Sequence, residues 1–290
     1  MLWLANCQSS RSKCTAPKTI EETRRGKMLQ QSSGRSIVRN AILASLPLPD
    51  LAAVGEYLEP IVLKERMIIQ EQRKRVDHVY FIESGLISHR IGSGGSLLEA
   101  AIVGYRGVIG AAFLLGGYPP VHQSVVLFPG RALRIRVDEL RRLMDERVQV
   151  REAIGRYLQA FAVHSTQTGF CGVRHSCEPR VATWLCLTCD AIGNSVLPVT
   201  HDYLSTVLGL RRASVTGALI RFEERRLIRK TRGVLHVDDR KAIEPECCSC
   251  YAVVAAAYTS SEETSSFYVD NSLKQPRFGS TARSQNTNSA

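Results

Sequence analysis

Long apolar runs are missing from this chain. None approaches the roughly 18 consecutive apolar residues that a membrane-crossing helix requires, so no membrane partner is expected. No secretory leader is expected either, because the opening MLWLANCQSSRSKC turns polar after a very short apolar patch. A cytoplasmic protein is therefore expected. Signatures of catalysis are equally scarce. No Ser-His-Asp order, paired carboxylates or nucleotide loop stands out, and Gly92-Ser93-Gly94-Gly95 lacks the Lys that a phosphate loop needs. No enzyme is expected. The nine cysteines are odd in number and scattered, which argues against a disulfide framework and for a reducing compartment.

What is present is positive charge. A formal net charge of +11 over 290 residues, with pI near 9.4, favours a polyanionic partner, and double-stranded DNA is the one expected. The charge is concentrated. From Arg211 to Arg232 there are eight Arg or Lys residues against two Glu.

Along the chain the texture changes four times. Residues 1–35 and 252–290 are polar, and both are expected to be mostly disordered. Residues 36–148 open with two short helices, at 37–43 and 51–58, and then become β. About eight short apolar runs separated by turn residues suggest a small jelly roll. Residues 149–173 read as one long helix. Val150, Ile154, Tyr157, Phe161 and His164 recur at gaps of four and three, a heptad-like seam. That face suits packing on the chain's own β domain or a symmetric dimer contact; it is assigned here to the dimer. Residues 174–251 then read as hinge, helix and winged helix-turn-helix. The class is α+β: an N-terminal jelly-roll domain, a long dimerisation helix and a C-terminal reader.

The reader is the most legible part. Thr200 caps a first helix whose apolar face is Leu204, Val207 and Leu208, and Gly209 supplies the left-handed turn after it. A second helix buries Val215, Ala218, Leu219 and Phe222 and shows Arg211, Arg212, Ser214, Thr216 and Arg221 on its other side. A basic turn, Arg229-Lys230-Thr231-Arg232-Gly233, then leads into a short strand. A basic helix followed by a basic hairpin is the footprint of a winged DNA reader.

This order of parts resembles the Crp/Fnr family of bacterial transcription regulators over roughly Ile42 to Tyr251. The resemblance is carried by His78 to Gly85, Gly104 to Gly110, Gly209 to Thr216 and Leu227-Ile228-Arg229, and the Cys247-Cys248-Ser249-Cys250-Tyr251 ending resembles a subgroup with undefined effectors. It implies a homodimer on a palindromic operator, with RNA polymerase as a further partner. Arg212 then stands at the family's base-reading arginine. Thr200, Arg211, Ser214, Thr216, Arg221, Lys230 and Arg232 are DNA contacts, mostly to phosphate. Ala213 stands where many members carry Glu, and Gly217 where they often carry a second Arg, so the operator preference cannot be copied.

The resemblance also implies an effector pocket at Gly107, Val108, Ile109 and Gly110, with His122 and Gln123. The family's cyclic-nucleotide contacts are absent, however: Ala111 and Ala112 replace the ribose-binding acid. Between Gly107 and Gly130 there is no Arg or Lys, and a buried phosphate without a cation is badly under-compensated. The effector, like any cofactor, is unknown, and no metal ligand set is assigned. The alternative is a redox- or metal-responsive sensor that uses Cys247, Cys248 and Cys250, or Cys186 and Cys189, and acts through protein partners. Cys7 and Cys14 do not make the short-gap trio of an iron–sulfur site. Equilibrium dialysis against cyclic AMP is expected to give no stoichiometric binding. Saturable binding of one nucleotide per chain would contradict the pocket reading.

Overall fold

The computed structural model describes residues 38–93 and 96–271. The N-terminal arm, Cys7 and Cys14, the tip at 94–95 and residues 272–290 lie outside them. Six strands form one antiparallel sheet: Glu59–Leu63 (β1), Ile68–Gln70 (β2), His78–Ser93 (β3), Ser96–Val103 (β4), Val108–Ile109 (β5) and Gln123–Arg136 (β6). Their order is β1-β6-β3-β4, with β2 also on β6 and β5 on β3. Six replace the expected eight because two pairs of apolar runs are halves of one strand. β3 spans both Val79–Ile82 and Gly85–Ile91, and β6 spans Val125–Phe128 and Ala132–Arg136. The intervening glycines mark bulges rather than ends. Gly85 has φ +88°, and a Cβ on Gly130 would lie 2.1 Å from the Ser84 carbonyl oxygen, so the two strands bend where they cross.

Helices close one side of the roll. Ala41–Ala44 (α1) and Leu48–Gly55 (α2) precede it, Ala112–Gly116 (α3) interrupts it, and Val137–Glu146 (α4) follows. Asn40 joins α1 to the sheet. Its Oδ1 accepts from the Leu43 N–H, and its fully buried Nδ2 donates to the carbonyls of Ile82, Tyr105 and Gly107 at 2.9–3.1 Å. Its hold on the sheet was not visible in the sequence, because those three carbonyls lie over 40 residues away.

The long helix Val148–Arg174 (α5) corrects the dimer assignment. Val150, Ile154, Tyr157 and His164 are buried within this chain, and Phe161 packs partly into the same interior. Periodicity identifies the apolar face but not what covers it. Part of the cover is Ser249–Asn271 (α10), a helix that runs well into the 252–290 segment expected to be disordered. Cys250, Val254 and Tyr258 recur at intervals of four and seat α10 along α5, with Tyr258 Oη 3.1 Å from His164 Nδ1. Arg106 of the roll pairs with Glu262 of α10 at 2.9 Å.

The reader comprises Cys177–Ile192 (α6), Val196–Leu197 (β7), His201–Leu208 (α7), Arg212–Glu224 (α8), Ile228–Thr231 (β8), Val234–Val237 (β9), Arg240–Ile243 (α9) and a 3₁₀ turn at Glu244–Glu246. The wing sheet is ordered β7-β9-β8. Its core is continuous with the roll: Leu86, Ile102 and Phe128 pack into the cluster built by Trp184, Leu204, Leu219 and Phe222.

Substituting Asn40→Asp exchanges three donated hydrogen bonds for a buried carboxylate facing carbonyls. A loss of about 2–4 kcal/mol is expected by urea unfolding followed through tryptophan fluorescence. A change under about 0.5 kcal/mol, the range of ordinary surface substitutions, would contradict the cap's role.

Candidate nucleic-acid interface

The helix-turn-helix is built as its residues dictate. Thr200 Oγ1 accepts from the Tyr203 N–H at 3.2 Å, closing the first turn of α7. Gly209 ends α7 at φ +60°, where a Cβ would meet Leu98 of β4 at 2.8 Å. On α8, Val215, Ala218, Leu219 and Phe222 are all completely buried. The opposite side shows Arg211, Arg212, Ala213 and Ser214, four consecutive exposed residues at the helix start, while Thr216 and Gly217 are half-buried. Thr216 Oγ1 lies 3.1 Å from His201 Nδ1, which fixes α8 against the first turn of α7.

The charge is less available than its count suggests. Acids from outside the basic stretch pair with four of its cations: Arg212 with Asp202 at 2.9 Å, Arg221 with Glu178 at 2.7 Å, Arg225 with Glu246, and Arg229 with Asp238 at 2.8 Å. Lys230 pairs with Glu223 at 2.7 Å and its side chain is only 22% exposed. Arg211, Arg226 and Arg232 have no acidic partner among the described residues. The Arg212–Asp202 pair is different in kind from that of Lys230. Its side chains are 69% and 66% exposed, so solvent screens it and little is lost when either partner changes. Arg212 is therefore exchangeable, whereas Lys230 is part of the wing's own framework.

A buried carboxylate holds this reader to the roll. Glu99 of β4 accepts from Ser88 at 2.5 Å, Trp184 Nε1 at 2.6 Å and Tyr203 Oη at 3.0 Å. Burial pushes its carboxyl above the usual carboxylate range, with the three hydrogen bonds and Arg90 working against that shift. Arg180 of α6 also donates to the Leu208 carbonyl at the end of α7.

The expected effector residues are mostly consumed by packing. Val108 and Ile109 are core, and Gly107 meets Val103 and Tyr157. Gly107 borders a cleft of about 40 Å³, far below the roughly 300–1,000 Å³ of a typical ligand pocket. His122 stacks on His89 with ring centroids 4.5 Å apart, and Gln123 accepts from Arg90 at 3.0 Å. A larger space, about 360 Å³, lies instead where β4 meets α5, α6 and α7, lined by Ala101, His164, Thr168, Leu187 and Val207.

Six of the seven cysteines among the described residues divide into two sets, with Cys177 in neither. Cys186 and Cys189 are reader core, with burial pushing the Cys189 thiol up to about 12, and Cys247 packs against the same cluster. Cys248 and Cys250 instead converge with Cys171 and His175, and these four are the group among the described residues with the donor set for a metal ion. Cys171 and His175 stand four residues apart at the end of α5, so half of the set was readable; the other half lies over 70 residues on.

Residues 179–245 match the Crp-like helix-turn-helix domain. Solved structures share the architecture at low identity. The FixK2 regulator of Bradyrhizobium japonicum is 15% identical, with a TM-score of 0.57 over 66% of this chain and 98% of its own. A Crp/Fnr-family transcriptional regulator of Eubacterium rectale is 16% identical, at 0.54 over 70% and 96%. The c-di-GMP-responsive global regulator CLP of Xanthomonas campestris is 12% identical, at 0.52 over 66% and 99%. At these identities the likeness is one of fold: a β-roll, a long helix and a helix-turn-helix, the fold of Crp/Fnr-type DNA-binding transcription regulators. No curated protein matches the sequence.

Glu99 gives the junction a pH dependence of known sign. The folded chain keeps a proton that the unfolded chain releases near pH 4.3, so this contribution falls as pH rises from there through the raised native value. His89 and His164, held by burial down to about 3 and about 4, act oppositely and add stability as pH rises toward about 6.5. Urea midpoints of Glu99→Gln are expected to climb more steeply with pH than those of the unsubstituted chain. Parallel curves would contradict a raised Glu99.

Proposed function

We propose that this chain, a Crp-like helix-turn-helix domain set on the Crp/Fnr-type fold, is a cytoplasmic transcription regulator that binds a palindromic operator as a homodimer. The observation that carries this is the first turn of α8, where Arg211 to Ser214 are exposed above a fully buried opposite face. That turn is what a recognition helix presents to the major groove. Arg212 reads guanine by two-point hydrogen bonding, giving up its exposed pair with Asp202 as it does so. Arg211, Arg232, Ser214 and Thr200 contact phosphate or sugar and fix the register. Ala213 and Gly217 admit close approach without donors of their own. Lys230 and Arg221, tied to Glu223 and Glu178, contribute less than their charge suggests.

Dimerisation uses the outward face of α5 rather than its buried seam. Exposed Val148, Phe170 and Val173 flank the small residues Gly155, Ala162 and Gly169, which recur every seventh position and allow close helix approach. In such a dimer two α8 helices fall about 34 Å apart, one turn of DNA. The signal, an unidentified small molecule, acts at the roll. The cleft of about 360 Å³ between β4 and the reader's helices supports a site where roll and reader meet. RNA polymerase is the partner through which bound protein acts.

Selection from a random DNA pool at fixed salt tests this. A twofold-symmetric site is expected, with half-sites about 10 base pairs apart. Arg212→Ala is expected to cut preference for that site over random DNA by roughly 5- to 150-fold. Arg232→Ala is expected to weaken both alike and reduce the salt slope by about 1. An enriched site without symmetry would contradict the homodimer. Sequence-blind binding throughout would contradict the regulator reading.

A further inference from the structure

Two pairs of side chains from distant parts of the chain meet at the hinge between the long helix and the reader. Cys171 and His175 stand four residues apart, one on the last turn of α5 and one just past its end. Cys248 and Cys250 flank Ser249, the first residue of α10. Cys171 Sγ lies 3.4 Å from Cys248 Sγ, and Cys250 Sγ lies 3.4 Å from His175 Nδ1. All four donor atoms fall within 4.8 Å of one another. Ligands around a tetrahedral zinc ion stand about 3.5–3.8 Å apart, given metal–sulfur and metal–nitrogen distances of about 2.3 and 2.1 Å. The four donors are therefore already near the corners of such a site.

We propose that Cys171, His175, Cys248 and Cys250 bind one zinc ion. Three sulfurs and one imidazole nitrogen are a soft, tetrahedral donor set that suits Zn²⁺ above the harder divalent cations. All four positions are filled by protein, which makes the site structural rather than catalytic. On binding, each cysteine thiol loses its proton, the imidazole binds as the neutral ring through Nδ1, and the complex carries one net negative charge.

The surroundings support metal rather than simple packing. Gln167 Nε2 donates to Cys250 Sγ at 3.4 Å. Thr183 Oγ1 lies 3.2 Å from Cys248 Sγ and accepts from the Cys248 N–H at 3.1 Å. Hydrogen bonds to ligating sulfurs orient them and stabilise the thiolate form, as outer-shell partners of metal sites do. Cys171 and Cys250 are buried and Cys248 is half-buried, so the sulfurs are shielded from solvent oxidants. The Phe170 ring stands edge-on to His175 at 5.7 Å and limits its rotation.

The position gives the ion a consequence. It fastens the first turn of α10 to the end of α5, and Thr183 brings α6 into the same cluster. The hinge of the reader is thereby fixed at one angle. This effect on DNA rests on the regulator reading above; the metal site itself does not.

The test is metal content of the full chain purified without oxygen, followed by cobalt replacement. One zinc per chain is expected, and a folded Cys250→Ser or Cys171→Ser chain should hold less than about a tenth of that. Cys177→Ser and Cys189→Ser, outside the cluster, should retain it in full. Cobalt should give the intense visible bands of a tetrahedral thiolate site, with charge-transfer intensity rising by about one third in His175→Cys, which has four thiolates in place of three. This variant keeps a complete ligand set if the serine variants fail to fold. A folded chain without zinc, or one in which Cys171 and Cys248 are found as a disulfide after anaerobic purification, would overturn the proposal. So would zinc that persists in a folded Cys171→Ser/Cys250→Ser double variant. Operator selection is scored separately, so a zinc-loaded chain with sequence-blind DNA binding would defeat the regulator reading and leave the metal site standing.

Discussion

A single buried carboxylate sets the relation between the two halves of this chain. Glu99 sits on the roll, yet two of its three donors, Trp184 and Tyr203, belong to the reader. Removing water from a carboxylate is costly, and hydrogen bonds to it from the surrounding protein are what make that position tolerable. The reverse also holds. Without Glu99 the Trp184 N–H and Tyr203 O–H would be orphaned in the interior, at about 1–3 kcal/mol each. Leu86, Ile102 and Phe128 then extend the same contact with apolar surface. The roll is thus part of the reader's core, and the direction in which α8 faces is fixed by the sheet.

Helix α6 connects that constraint to the hinge. Thr183 and Trp184 are adjacent on it, one holding Cys248 and the other Glu99. Glu178, in its first turn, holds Arg221 of α8. A rotation of α6 would disturb all three contacts together. The polar side chains along this one helix thus connect the roll, the long helix and α8. An effector in the cleft beside His164 and Leu187 would bear on the same helix.

Local patterns were legible in the sequence and covering partners were not. Thr200, Gly209 and the Val215–Phe222 face fell where capping and periodicity put them, because those rules concern neighbours within one or two turns. The seam of Val150, Ile154 and Tyr157 was equally clear as an apolar face. Its cover comes from the roll and from α10, and spacing alone cannot tell an intramolecular cover from a second copy. The runs on either side of Gly85 and of Gly130 read as separate strands because a bulge and a turn use the same residue type. Charge counting overstated the reader's field because Asp202, Glu178, Glu246 and Asp238 lie outside the counted stretch. Helix α10 is not evident in the sequence because the segment is rich in Ala, Ser and Thr, and its inward contacts, buried Cys250 and Val254 and half-buried Tyr258, are sparse.

Amide hydrogen exchange on the unsubstituted chain and on Glu99→Ala tests the junction most directly. The account predicts faster exchange in β4, α6 and α7 together, with β1 and the Asn40-capped helix at unsubstituted rates. Exchange that rose evenly over all elements, or left α7 unchanged, would contradict a reader held to the roll through Glu99.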